Sequence, residues 1–114
     1  MKKLILSASL LLIISGCSTT PGEMRTNTPH VLEYSDKAAK RITICIADKW
    51  GQSGVVNQRE SSDGYSLTFT SNGKLLYLAD IEKNGDKTVT KVYKYLQYLS
   101  DPNTMLIAAK ECQI

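Results

Sequence analysis

Tyr65-Ser66-Leu67-Thr68-Phe69-Thr70-Ser71-Asn72-Gly73-Lys74-Leu75-Leu76-Tyr77-Leu78-Ala79-Asp80 is the stretch whose reading decides the fold. Apolar and polar residues alternate with a period of two on both sides of Asn72-Gly73, the strongest two-residue hairpin signal. With a type I′ turn at Asn72-Gly73, residue 69 opposes 76, 67 opposes 78 and 65 opposes 80. One face then carries Tyr65, Leu67, Phe69, Leu76 and Leu78, and the other Ser66, Thr68, Thr70, Leu75, Tyr77 and Ala79. Such alternation predicts an antiparallel sheet with one face on a core.

Further strands extend the hairpin. Residues 55–59 read as a short, weakly patterned strand, and a turn-rich loop follows at 60–64. Asn84-Gly85 joins the hairpin to a strand over 88–95. A three-residue loop through Asp86 places Val92 rather than Lys91 opposite Leu78, and this keeps the core face apolar. In that register Leu75, Tyr77, Tyr93 and Tyr95 form an outward aromatic patch, with Tyr98 near it. Residues 96–100 read equally as a way out of the sheet or as a helical start.

Helices flank the strands. Ala38, Ala39, Ile42, Cys45, Ile46 and Trp50 recur at three- and four-residue intervals, with Ser35 as the expected N-cap, Asp36 beside it and Gly51 as the C-cap. Trp50 ends this stripe, where packing in the core is the expected role and a partner anchor the alternative. Asp101-Pro102 opens a second helix, which sets Met105, Ala108, Ala109 and Cys112 on one face. Each helix therefore puts one cysteine on its inward stripe, and a Cys45–Cys112 disulfide is expected. The predicted fold is α+β, a single small domain ordered α-β-β-β(-β)-α, with an antiparallel sheet and the two disulfide-linked helices on one face.

The N-terminus supplies an address. Lys2 and Lys3 precede an apolar run over residues 4–14, broken by Ser7 and Ser9, too short to span a bilayer as a helix of about 20 residues. Ile14-Ser15-Gly16-Cys17 closes it. This segment resembles the lipobox of bacterial lipoprotein precursors. The resemblance implies diacylglyceryl attachment to the Cys17 sulfur, cleavage after Gly16 and acylation of the new amino terminus. An ordinary secretory signal, with Cys17 in a disulfide, is the competing reading. Ser18 after the cysteine implies, by the same resemblance, the periplasmic face of the outer membrane rather than inner-membrane retention. Residues 1–16 are then a signal peptide, 17–32 the lipidated cysteine and a flexible Pro-punctuated tether, and 33–114 the folded domain.

Composition narrows the function. Removing residues 1–16 from the 114 leaves 98, enough for one domain. With Lys2 and Lys3 gone, 12 basic residues face 11 acidic ones, a balance that gives no footprint for nucleic acid. Once Cys17 is assigned to lipid, Cys45 and Cys112 remain as an even pair in an oxidising compartment. The only histidine, His30, falls in the expected tether, so a Ser/His or Cys/His nucleophilic site has no base. Asp80 and Glu82 share a strand face before a turn, where solvated charge is the ordinary role. Gly51-Gln52-Ser53-Gly54 is too short for a phosphate loop, and neither metal-ligand clusters nor a cofactor motif is present.

The expectation is a non-catalytic, membrane-anchored envelope lipoprotein that binds another envelope protein, or itself, through Leu75, Tyr77, Tyr93 and Tyr95. The alternative is an inhibitor or immunity-type lipoprotein, phage- or toxin-related, that blocks an enzyme with loop 60–64 or 83–86. Cys17→Ser is expected to abolish incorporation of labelled palmitate, whereas Cys45→Ser leaves it intact. Labelling that survives Cys17→Ser would contradict the lipobox reading.

Overall fold

A computed structural model of the chain describes residues 20–95 and 104–114. The expected signal peptide at 1–16, Cys17, the expected 96–100 exit and the expected Asp101-Pro102 cap lie outside the described residues. The elements run in the order α1 (Pro21–Met24), β1 (Val31–Ser35), α2 (Ala39–Trp50), β2 (Val55–Glu60), β3 (Gly64–Ser71), β4 (Lys74–Asn84), β5 (Lys87–Lys94) and α3 (Thr104–Glu111). The strands form one five-stranded antiparallel sheet in the order β1-β5-β4-β3-β2. Helices α2 and α3 pack on one face, as the α+β reading expects.

Burial builds that helical layer. Ile42, Ile46 and Trp50 are fully buried on α2, and Met105, Ala108, Ala109 and Cys112 are buried on and just after α3. Cys45 and Cys112 are bonded, with Cα atoms 5.7 Å apart across a separation of 67 residues. Trp50 is a core residue: its indole Nε1–H donates to the Met105 carbonyl at 3.0 Å. It also meets Phe69 and Tyr77 at ring-centroid distances of 6.3 and 5.8 Å, the offset and edge-on range that aromatic pairs prefer.

Three expectations are corrected. The region taken as a tether over residues 17–32 carries α1 and the start of β1. β1 pairs antiparallel with β5, from Val31 opposite Val92 to Ser35 opposite Thr88. Its alternation is real, since Val31 and Ser35 are buried and Leu32 and Tyr34 exposed, but five residues just after Pro29 give a weak local signal. Ser35 consequently caps no helix. It ends β1, and its hydroxyl donates to the Gln113 carbonyl at 2.6 Å. α2 starts at Ala39 behind Ala38, whose side chain makes no capping bond.

The third correction concerns register. Asn72 and Gly73 have φ of 55° and 76°, as a type I′ turn requires, and Ser71 opposes Lys74. Beyond Thr70 opposite Leu75, however, the pairing slips, and Phe69 opposes Tyr77 instead of Leu76. Leu76 is the extra residue of a β-bulge, and one inserted residue exchanges the two faces of everything after it. Leu76, Tyr77, Ala79 and Ile81 therefore join the helical core, while Leu78 turns outward. The β4–β5 turn is a two-residue Gly85-Asp86 turn, with Asn84 opposite Lys87 and φ of 63° at Gly85, rather than a three-residue loop. This second shift restores Val92 to the core face, opposite Ala79.

Tyr77 is thus a core residue, 1 % exposed between Trp50 and Phe69. Tyr77→Ala is expected to cost about 3–5 kcal/mol in urea unfolding, the range for truncating a buried aromatic side chain. Tyr34→Ala, on the solvent side of β1, is expected to stay within about 0.5 kcal/mol. Equal effects would contradict the bulge.

Candidate functional site

The sheet face away from α2 and α3 is the surface on which a site can be built, and α1 packs on it. Thr20 opens α1 as an N-cap, its hydroxyl accepting from the Glu23 amide at 3.2 Å. Pro21 follows in the first turn, where its missing N–H is not needed. This single turn points Met24 down onto Leu78 and Tyr93, with Leu75 packed at the margin. Arg25, the next residue, forks onto Asp80: Nε donates to Oδ2 at 2.7 Å and Nη2 to Oδ1 at 2.8 Å. Ser66 completes the cluster, donating to Asp80 Oδ1 at 2.7 Å and accepting from Arg25 Nη2 at 3.1 Å. A bidentate pair over a mostly buried carboxylate is the strong form of an ion pair, because geometry and partial desolvation both favour it. The main chain then returns to the sheet edge, where the His30 amide donates to the Val92 carbonyl at 2.7 Å.

Charge and burial leave their mark on two groups. Hydrogen bonding to Asp80 raises the Arg25 pKa further, so its charge is secure. Burial beneath α1 pushes the Tyr93 phenol above its ordinary pKa, and the Asp80 carboxylate pushes in the same direction.

The expected aromatic patch is dispersed by this arrangement. Tyr77 lies in the core, and Tyr95 packs partly buried against that same core, its amide donating to the Leu76 carbonyl at 2.9 Å. Tyr93 does face outward, opposite Leu78, but Met24 covers it and leaves it 6 % exposed. Leu75 is half-buried beside it. The four residues therefore do not form an open interface. The bulge moves Tyr77 to the core side, and α1 hides what remains.

Two recesses open among the described residues. On the β1 side, Tyr34, Asp63, Glu82, Lys83, Asn84, Val89 and Lys91 line a hollow of about 230 Å³. Here the loop before β3 meets the end of β4, with the Lys83 amide donating to the Asp63 carbonyl at 2.8 Å. Leu32 and Tyr34 project from β1 on this face, 51 % and 61 % exposed, and β1 is an edge strand. On the β2 side, a groove of about 420 Å³ lies between Pro21 and Arg25 of α1 and Asn57, Arg59, Ser66 and Thr68 of the sheet. The signal for Leu32 and Tyr34 is present as alternation beside Val31, but the polar stretch ending in Pro29 masks it. Asp80 is occupied by Arg25 and Ser66 rather than paired with Glu82 for acid–base work. Among the described residues no group of three or more His, Cys, Asp and Glu side chains is placed to hold a metal. No family model, curated protein or solved structure matches the chain.

The Arg25–Asp80 pair holds α1 on the sheet. Arg25→Gln is expected to raise the rate at which a glutamate-specific protease cuts after Glu23 and to cost about 2 kcal/mol, the worth of a charged hydrogen-bonded contact. An unchanged cleavage rate would show that Met24 alone suffices. Tyr93 adds a pH dependence whose sign is fixed. Its folded pKa is raised, so its contribution to stability is complete below the ordinary tyrosine value of 10.0 and is lost as pH climbs through the folded value. Urea unfolding of Tyr93→Phe should lack this part of the alkaline loss seen in the wild type.

Proposed function

We propose that the protein is a non-catalytic envelope lipoprotein, anchored through Cys17 at the periplasmic face of the outer membrane, that binds a protein partner through the β1 edge. The observation that carries this reading is the exposure of Leu32 and Tyr34 side by side on one face of an edge strand. A tyrosine with an apolar body and a free polar tip is a common anchor at protein interfaces. The unpaired main chain of an edge strand adds backbone donors and acceptors, which a partner strand can satisfy. The hollow beside Tyr34 offers a pocket for a partner side chain, with Asp63, Glu82, Lys83 and Lys91 supplying charges of both signs. The N-terminal segment and the Cys45–Cys112 bond support the oxidising, membrane-tethered setting.

A second reading, inhibition of an enzyme, draws on one specific observation. Loops 60–64 and 83–86, the two candidates for a blocking element, are bonded to one another at Lys83 and Asp63 and share the hollow beside Tyr34. Photo-crosslinking in intact cells separates the readings, with the probe residue placed at Leu32, Tyr34, Asp63 or Lys40. The accessory reading predicts a discrete adduct from Leu32 and Tyr34 and none from Lys40, on the far helical face. Adducts from Asp63 alone would move the inhibitor reading to first place, and none from any of the three would overturn both.

A further inference from the structure

The distance between the anchor and the fold has a consequence for the β2 side of the sheet. α1 is capped by Thr20, which lies three residues after Cys17. Three fully extended residues span at most about 11 Å. A lipid on Cys17 therefore holds the start of α1 at the bilayer surface, and Pro21, the first residue of α1, lines the β2-side groove. That groove presents Arg25 and Arg59 and no carboxylate among its lining residues, over a floor that includes Asn57 and Thr68. Arg59 is exposed and makes no ion pair among the described residues, whereas Arg25 is neutralised by Asp80. Val55, on the same side of β2 as Asn57 and Arg59, is 60 % exposed.

We propose that this groove seats the phosphate headgroup of a phospholipid of the anchoring membrane, so that the domain stands on its β2 edge and turns β1 outward. The inference rests on lipidation of Cys17. The planar Arg59 guanidinium matches a phosphate geometrically, and it is less strongly hydrated than a lysine ammonium, so it gives up less on docking. Asn57 and Thr68 can donate to the remaining phosphate oxygens. Val55 rests at the headgroup level, where a single aliphatic side chain is readily accommodated. The occupant is a lipid rather than free phosphate because the anchor brings lipid headgroups to the groove at high local concentration.

The test uses the lipidated protein, purified from membranes and added to preformed phosphatidylglycerol vesicles in which some lipids carry a nitroxide on the headgroup. Val55→Trp, Tyr34→Trp and Lys40→Trp each add an indole, and fluorescence is compared with the wild type, whose Trp50 is buried. The proposal predicts strong quenching at position 55 and little at 34 or 40. Adding Arg59→Gln should lower the docked population by about fivefold, the effect of removing one cation at an anionic surface. Equal quenching at all three positions, or quenching at 55 that ignores Arg59→Gln, overturns the docking proposal while leaving the anchor intact. Failure of the protein to float with the vesicles removes the anchor, and the docking proposal falls with it.

Discussion

The covalent closure between Cys45 and Cys112 is the constraint on which the other contacts rest. It joins the inward stripes of α2 and α3, two elements separated by most of the sheet in sequence. A crosslink over 67 residues is worth about 4 kcal/mol in the chain-entropy treatment, comparable to the net stability of a domain this small. With α3 held in place, Met105 can offer its carbonyl to the Trp50 indole, and Gln113 can bond Thr90 and the Ala109 carbonyl at the helix end. Ser35 ties β1 to the same point through the Gln113 carbonyl. An eight-residue helix such as α3 would be marginal without those attachments.

The opposite face is organised by a much smaller device. One turn of helix places Met24 over Leu78 and Tyr93, and the Arg25 fork on Asp80 keeps it there. Without α1 those apolar side chains would lie open. The strap thus closes the centre of that face and forms one wall of the β2-side groove. The segment expected to be a tether is instead taken up in structure from Thr20 onward, so that a lipid on Cys17, as proposed, would sit only three residues from the fold.

The helical stripes, the disulfide and the type I′ turn were legible because each is a local pattern. Ile42, Cys45, Ile46 and Trp50 repeat at helical spacing, and Asn72-Gly73 is a turn with a steric cause. The bulge at Leu76 was not legible. Neither a glycine nor a proline marks it, and Leu75-Leu76-Tyr77-Leu78 is apolar throughout, so the sequence there does not say which residue is the extra one. What decides is tertiary: Tyr77 fits between Trp50 and Phe69, and Leu76 also finds room in the core. Because strand faces alternate, that single choice moved Tyr77 from the candidate interface to the core. β1 was missed for a different reason. Its partner β5 lies more than fifty residues away, and Ser35-Asp36 competes locally as a helix cap. Leu32 and Tyr34 could not be recognised as a surface pair until that pairing was known.

The Cys45–Cys112 bond is what holds the helical layer together, and equilibrium urea unfolding of the oxidised protein against Cys45→Ala/Cys112→Ala tests this most directly. The expected result is a loss of about 4 kcal/mol in the double variant, enough to bring a small domain close to its unfolding threshold. Unfolding free energies that agree between the two proteins would contradict it. The α2–α3 layer would then be held by burial of Trp50 and its neighbours alone.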